Sequence, residues 1–191
     1  MKDELFIRGE VPMTKEEIRI LTLAKAQLKP NDVIVDIGAG TGSISIEAAQ
    51  KVRQVFAIEK NPTAVELIEQ NAEKFGIENI IIINAEAPNG LEGISKIDAA
   101  IIGGSGNNLL KILEVVDRKL KKGGRIILNC ITIQTISTAL EYFKSRNVYR
   151  YEAIQVQINR LHQVGRYDMA QALNPIYILT AELTNPSDSR V

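Results

Sequence analysis

The chain has no tryptophan, one cysteine, one histidine and no net charge, and each shortage removes a class of protein. Cys130 alone cannot close an internal disulfide, so the chain reads as a reduced, cytosolic (cytoplasmic) protein rather than a disulfide-held secreted one. A single histidine beside a single cysteine leaves no Cys/His spacing for a structural metal, and none is expected. Lys plus Arg equal Asp plus Glu at 23 each, which gives no global pull toward nucleic acid. Aromatic residues make up 5%, too few for a base-stacking platform. No apolar run approaches the ~20 residues of a spanning helix, and no apolar signal segment opens the chain, so no membrane partner is expected.

What remains is an ordinary globular composition, 45% hydrophobic and 24% charged. A length of 191 residues suits one domain, with residues 1–13 as a lead-in segment and 185–191 as a frayed polar tail. Thr14 and Glu17 have capping-box spacing and open a helix to about residue 28. Short apolar runs at 33–37, 54–58, 80–83, 97–102 and 125–130 read as strands. Helical stretches at 44–52, 62–75, 107–120 and 133–145 alternate with them, the second opened by Pro62 and closed by Gly76. Two further strands are expected near 151–158 and 175–183, joined by a connection, 159–174, with no clear period. Continuous Ile and Val in strands that alternate with helices predict an α/β fold, a parallel sheet covered on both faces.

In open α/β sheets a ligand sits beyond the carboxyl ends of the strands, where the first strand meets its helix. That junction reads Val35-Asp36-Ile37-Gly38-Ala39-Gly40-Thr41-Gly42. A dinucleotide fingerprint fits it imperfectly, since Ser43 stands at the last position, and no Gly-Lys-Ser/Thr follows to make a P-loop. Asp36 would repel phosphate at this place but attract an ammonium or a sulfonium. Glu59 ends the second strand about 20 residues on, where an acid accepts hydrogen bonds from both ribose hydroxyls. S-adenosyl-L-methionine has a ribose, an ammonium and a sulfonium and no phosphate, and it suits this pair. Ala85, Glu86 and Ala87 follow the third strand, with small residues where an adenine ring can lie. Gly103, Gly104 and Ser105 follow the fourth, where methyltransferases place acceptor-facing groups.

The methyl acceptor is less legible. The loop after the fourth strand lacks the Asn- or Asp-Pro-Pro-aromatic run of exocyclic-amine DNA methyltransferases. Cys130 ends an apolar strand and reads as a buried small hydrophobe rather than a thiolate nucleophile. Between Lys144 and Arg166 stand five basic residues and one acid, Glu152. Part of that charge is a solvated helix end and strand face, but Arg160, His162 and Arg166 fall in the long connection, where they can face an anionic substrate. His162 is open to two readings, structural residue or general acid/base. No residue is assigned a catalytic acid/base role.

Val11-Pro12-Met13-Thr14-Lys15, the glycine loop, Ile101-Ile102-Gly103-Gly104-Ser105-Gly106, Gly123-Gly124-Arg125 and Asn174-Pro175-Ile176 together resemble one family. It is that of the decarboxylating cobalt-precorrin-6B methyltransferases of corrin-ring synthesis in cobalamin biosynthesis, acting at ring carbon 15, and the likeness runs from about residue 6 to 182. It implies a Rossmann-like class I methyltransferase, with a seven-stranded, mostly parallel sheet ending in an antiparallel hairpin, assembled as a homotetramer. It implies methyl transfer from S-adenosylmethionine to an anionic corrinoid, with loss of carbon dioxide from an acetate side chain. By the same likeness Thr14, Gly38, Ala39, Gly40, Thr41, Gly42, Glu59, Ala85, Glu86 and Ala87 would contact the cofactor. This chain has Glu59 where many relatives carry Asp, and Ala85-Glu86 where Gly-Asp is frequent. A tRNA or protein methyltransferase on the same cofactor fold, or a noncatalytic nucleotide-binding module, are the alternative readings.

Overall fold

The computed structural model describes residues 1–184, and the expected polar tail, 185–191, lies outside them. Seven strands pair in the order β3 (Ile80–Asn84), β2 (Gln54–Glu59), β1 (Val33–Ile37), β4 (Ile97–Ile102), β5 (Leu120–Cys130), β9 (Ile176–Leu183) and β6 (Tyr149–Val156). Strands β1 to β5 pair in parallel, and β9 runs antiparallel between β5 and β6. The reversal of strand order on either side of β1 opens a crevice at its carboxyl end.

The strand period of two divides the apolar residues between two faces. Val35 and Ile37 of β1, Ala100 and Ile102 of β4, and Leu128 of β5 belong to one core layer. Helices α4 (Leu109–Lys119) and α5 (Ile133–Lys144) cover it, burying Ile112, Leu113 and Phe143 completely. Ile34, Ile101 and Ile127 point to the other layer, under α1 (Glu16–Ala26) and α2 (Ser43–Ala49). Helix α3 (Pro62–Lys74) packs beside α2 against β2 and β3. A fully buried aliphatic side chain of this kind contributes roughly 1.5–3 kcal/mol, so both faces of the sheet must be covered for the fold to hold. Among the described residues no helix is long and apolar enough to cross a membrane.

Two expectations need correction. Thr14 does not cap α1: Lys15 stands at the cap, without a side-chain hydrogen bond, and the Thr14 carbonyl is used elsewhere. The connection 159–174 is a hairpin, β7 (Asn159–Val164) and β8 (Tyr167–Ala172), turned by Gly165 at φ 61°. Every residue of both strands is exposed, Leu161, Val164, Tyr167 and Met169 included. With both faces wet, no inside-outside alternation marks the strands in the sequence.

Candidate active site

The glycine loop turns out of β1 in contact with its neighbours. The Gly38 and Ala39 N–H groups donate to the Ile58 carbonyl of β2, and those of Gly103 and Gly104 to the Ile37 carbonyl of β1. These bonds draw the loops after β1 and β4 so close that a Cβ on Gly38 would stand 2.6 Å from the Gly104 backbone. Gly38 also has φ 71°, so no other residue fits there without displacing the chain. Gly40, at φ 58°, lies under the Pro12 carbonyl, which a Cβ would meet at 3.2 Å.

Above these loops lies a cavity of about 530 Å³. Gly38, Ala39 and Gly40 form its floor, Glu59 and Asn61 one side, Ala85, Glu86 and Ala87 the next, and Gly103, Gly104 and Ser105 the far end. The lead-in segment completes the lining, with Thr14 on the wall beside Pro12 and Met13. Two residues of the expected set do not line it. The Thr41 hydroxyl is buried without a partner, and Gly42 is the residue before α2, against Ile68.

The two carboxylates have different settings. Glu59 is held by backbone donors, Gly40 N–H to Oε2 at 2.9 Å and Asn61 N–H to Oε1 at 2.9 Å. A carboxylate has about four acceptor sites, so two remain for a ligand at the cavity wall. Asp36 is almost entirely buried and accepts from the Ser45 hydroxyl at 2.6 Å. Burial pushes its carboxyl up to about 6; the Ser45 hydrogen bond pulls downward and the Glu59 charge adds to the rise. Cys130, at the end of β5, is buried and its thiol is pushed up to about 11, which leaves no thiolate.

Arg19 is a positioning residue that no sequence motif marks. It is fully buried; its Nε donates to Glu47 at 2.6 Å, one terminal nitrogen to Asp3 at 3.1 Å and to the Thr14 carbonyl at 2.7 Å. Its other nitrogen reaches the Met1 carbonyl, and its guanidinium lies 4.8 Å from the Phe6 ring centre. A charge paired on every side in this way fixes the lead-in segment over the cavity. The one signal was an arginine on the apolar stripe of α1, between Ile18, Thr22 and Leu23.

The basic residues of the long connection are not brought to the cavity. Arg160 makes a bidentate pair with Glu17, its Nε donating to Oε1 at 3.2 Å and a terminal nitrogen to Oε2 at 2.8 Å, which holds the Glu17 carboxyl below its usual range. Arg166 donates to the Tyr167 hydroxyl, and His162 is exposed on β7.

The residues present fit an S-adenosylmethionine-like ligand on three counts: a Cβ-free floor, a backbone-held acid for a diol, and a buried acid suited to a cation. Comparisons with known proteins point the same way. A precorrin methyltransferase domain matches residues 5–182. The chain is 39% identical over 185 residues to the cobalt-precorrin-6B C(15)-methyltransferase (decarboxylating) of Salmonella typhimurium, covering 95% of each. It is 43% identical to a probable cobalt-precorrin-6B C(15)-methyltransferase (decarboxylating) of Sulfurisphaera tokodaii, covering 94% of this chain and 95% of that one. The crystal structure of precorrin-6y C5,15-methyltransferase from Geobacter metallireducens superposes with a TM-score of 0.89 at 37% identity, over 95% of this chain and 97% of that one. The fold is that of the Rossmann-like class I methyltransferases, with a seven-stranded, mostly parallel sheet. A glycine floor, an acid at the end of β2 and a domain match across nearly the whole chain agree, and the chain belongs to the precorrin methyltransferase family.

Proposed function

We propose that this protein transfers a methyl group from S-adenosylmethionine to ring carbon 15 of cobalt-precorrin-6B, with decarboxylation of an acetate side chain. The observation that carries the cofactor half is Glu59, fixed by the Gly40 and Asn61 N–H groups on the wall of a glycine-floored cavity. The acceptor half rests on family membership.

S-adenosylmethionine, when bound, supplies an electrophilic methyl group on a sulfonium. The residues of the chain bind and orient. Glu59 would accept from the ribose hydroxyls, residues 85–87 would flank the base, and Asp36 would balance the positive charge. Thr14, held by Arg19, keeps the lead-in segment against the cavity. Methylation at carbon draws its electron pair from the conjugated macrocycle, so no protein nucleophile is required, and Cys130 is not one. In the decarboxylation the pair from the breaking carbon–carbon bond enters the same conjugated system. Alignment of carbon 15 with the methyl group is then the main task of the protein.

A homo-oligomer, the tetramer implied by the family likeness, completes the proposal. The β7–β8 hairpin supports it, since a two-stranded ribbon with four large exposed apolar side chains is marginal on its own. The test is incubation with cobalt-precorrin-6B and S-adenosylmethionine, followed by the mass of the product. A gained methyl with loss of carbon dioxide is expected; a gain without that loss removes the decarboxylating half, and no gain removes the acceptor.

A further inference from the structure

A second cavity, of about 600 Å³, adjoins the first and shares Ser105 and Gly106 with it. It lies between the loop after β4 and the first turns of α4 and α5. Its lining differs in charge. The first cavity contains Asp36, Glu59 and Glu86 with Lys15 and Lys60, and since Lys60 pairs with Glu86, Asp36 and Glu59 are the acids left to face a cation. The second contains no acid, one lysine, Lys111, and neutral hydrogen-bonding side chains including Asn107, Gln134 and Thr135. Lys111 makes no ion pair among the described residues. Glu86, whose Oε1 would lie 3.6 Å from a Cβ on Gly106, is itself engaged by Lys60 at 2.9 Å.

An independent feature surrounds the same place. Leu110 on the cavity lining is 51% exposed, Ile131 on the wall of the first cavity 76%, and Ile133 at the start of α5 61%. Apolar side chains displayed beside convergent polar groups are the composition of a seat for a flat organic molecule with a polar rim.

Resting on the function proposed above, we infer that the second cavity seats the carboxylate-bearing rim of the acceptor macrocycle, with Lys111 as its cationic contact. Asn107, Gln134 and Thr135 donate to further carboxylate oxygens, and Leu110, Ile131 and Ile133 cover the ring. The shared Ser105–Gly106 boundary then sets the ring edge against the cofactor cavity. This places the acceptor on the α4–α5 side and not on Arg160, His162 and Arg166, which line neither cavity.

The test uses the full chain with Lys111→Glu, Lys111→Arg and Arg166→Glu. Lys111 is exposed near the start of α4, where an acid is favourable to the helix, so the first variant is expected to fold. Lys111→Glu should raise the acceptor KM about ten-fold, leave cofactor Kd within about two-fold, and flatten the salt dependence of KM. Lys111→Arg should restore it, and Arg166→Glu, with its solution mass first checked by light scattering to equal the parent's, should leave the acceptor KM and uroporphyrin affinity unchanged. Uroporphyrin, a flat tetrapyrrole polycarboxylate, serves as a binding probe independent of turnover, with the same order of variants expected. Unchanged KM and unchanged uroporphyrin affinity in Lys111→Glu would overturn the assignment, as would a loss confined to Arg166→Glu. Lys111-dependent uroporphyrin binding without turnover of cobalt-precorrin-6B would keep the seat and reject the acceptor.

Discussion

Replacing Asp36 by Asn should stabilise the ligand-free protein while weakening its hold on the cofactor. Burial raises the carboxyl from an ordinary 3.8 to about 6, and at 1.36 kcal/mol per pH unit the charged form costs about 3 kcal/mol at neutral pH. Asn removes the charge, keeps the size and still accepts from the Ser45 hydroxyl. A chain of this length shifts its melting temperature by roughly 2–4 °C per kcal/mol, so the variant should melt about 6–12 °C higher at pH 7. The sign with pH follows from the raised folded value: the folded state binds the proton more tightly than the unfolded one. Stability from this group is therefore full below about pH 4 and is lost as pH rises through about 6. The gap between variant and parent should accordingly shrink to about 1.5 kcal/mol at pH 5 and about 0.5 kcal/mol at pH 4. Thermal melts without cofactor, at these three pH values, measure it. A variant that melts at or below the parent at pH 7, or a gap independent of pH, would refute the reasoning. Calorimetric titration with S-adenosylmethionine supplies the second half, a weaker Kd for Asp36→Asn.

Further outcomes are expected elsewhere. Glu59→Ala should weaken S-adenosylmethionine binding by about two orders of magnitude, since charge-assisted bonds contribute roughly 1.5–3 kcal/mol each; unchanged affinity in calorimetry rejects the ribose role. Gly38→Ala should cost more than about 3 kcal/mol by chemical denaturation, against about 1 kcal/mol for Gly123→Ala, which also has positive φ but open space around it. Equal losses would show that the contact with Gly104 carries no weight. Leu161→Asp with Tyr167→Glu should lower the solution mass in light scattering while leaving the monomer fold intact by circular dichroism. In the native protein Cys130 should resist thiol reagents at pH 8, reacting only on unfolding; rapid labelling contradicts its burial.

The parts of the fold readable in advance are those whose cause is local. Strands β1 and β4 are runs of Ile, Val and Ala, interrupted only by Asp36 and Asp98, because both of their faces are covered, and such runs are visible without a partner in view. Helix α3 carries its own limits: the Asn61 side chain accepts from the Thr63 N–H, Pro62 opens the first turn and Gly76 follows the end at φ 64°. Asp36 and Glu59 were readable as a pair, but not in their separate settings. Ser45 reaches Asp36 from α2, and Gly40 and Asn61 reach Glu59 from two loops, contacts that only the folded chain assembles. The hairpin escaped because β7 and β8 have no buried face to impose a period. Arg19 escaped because its partners lie 5 to 28 positions away in the chain. Spacing alone makes Thr14 a cap, whereas its carbonyl serves that arginine.

The contact of Gly38 with Gly104 bears on how the two proposed ligands would bind. One loop floors the cofactor cavity and the other borders the second cavity, and they meet backbone to backbone. Elsewhere a side chain can change rotamer to absorb a neighbour's shift; here neither residue has one. A displacement that narrows this contact must move the other loop, so occupancy of the two cavities is expected to be linked. That linkage is reciprocal: whatever factor the acceptor adds to cofactor affinity, the cofactor returns to acceptor affinity. Calorimetric titration of S-adenosylmethionine with and without saturating uroporphyrin reads the factor directly, and a factor of one would mean that the two loops move independently despite their contact.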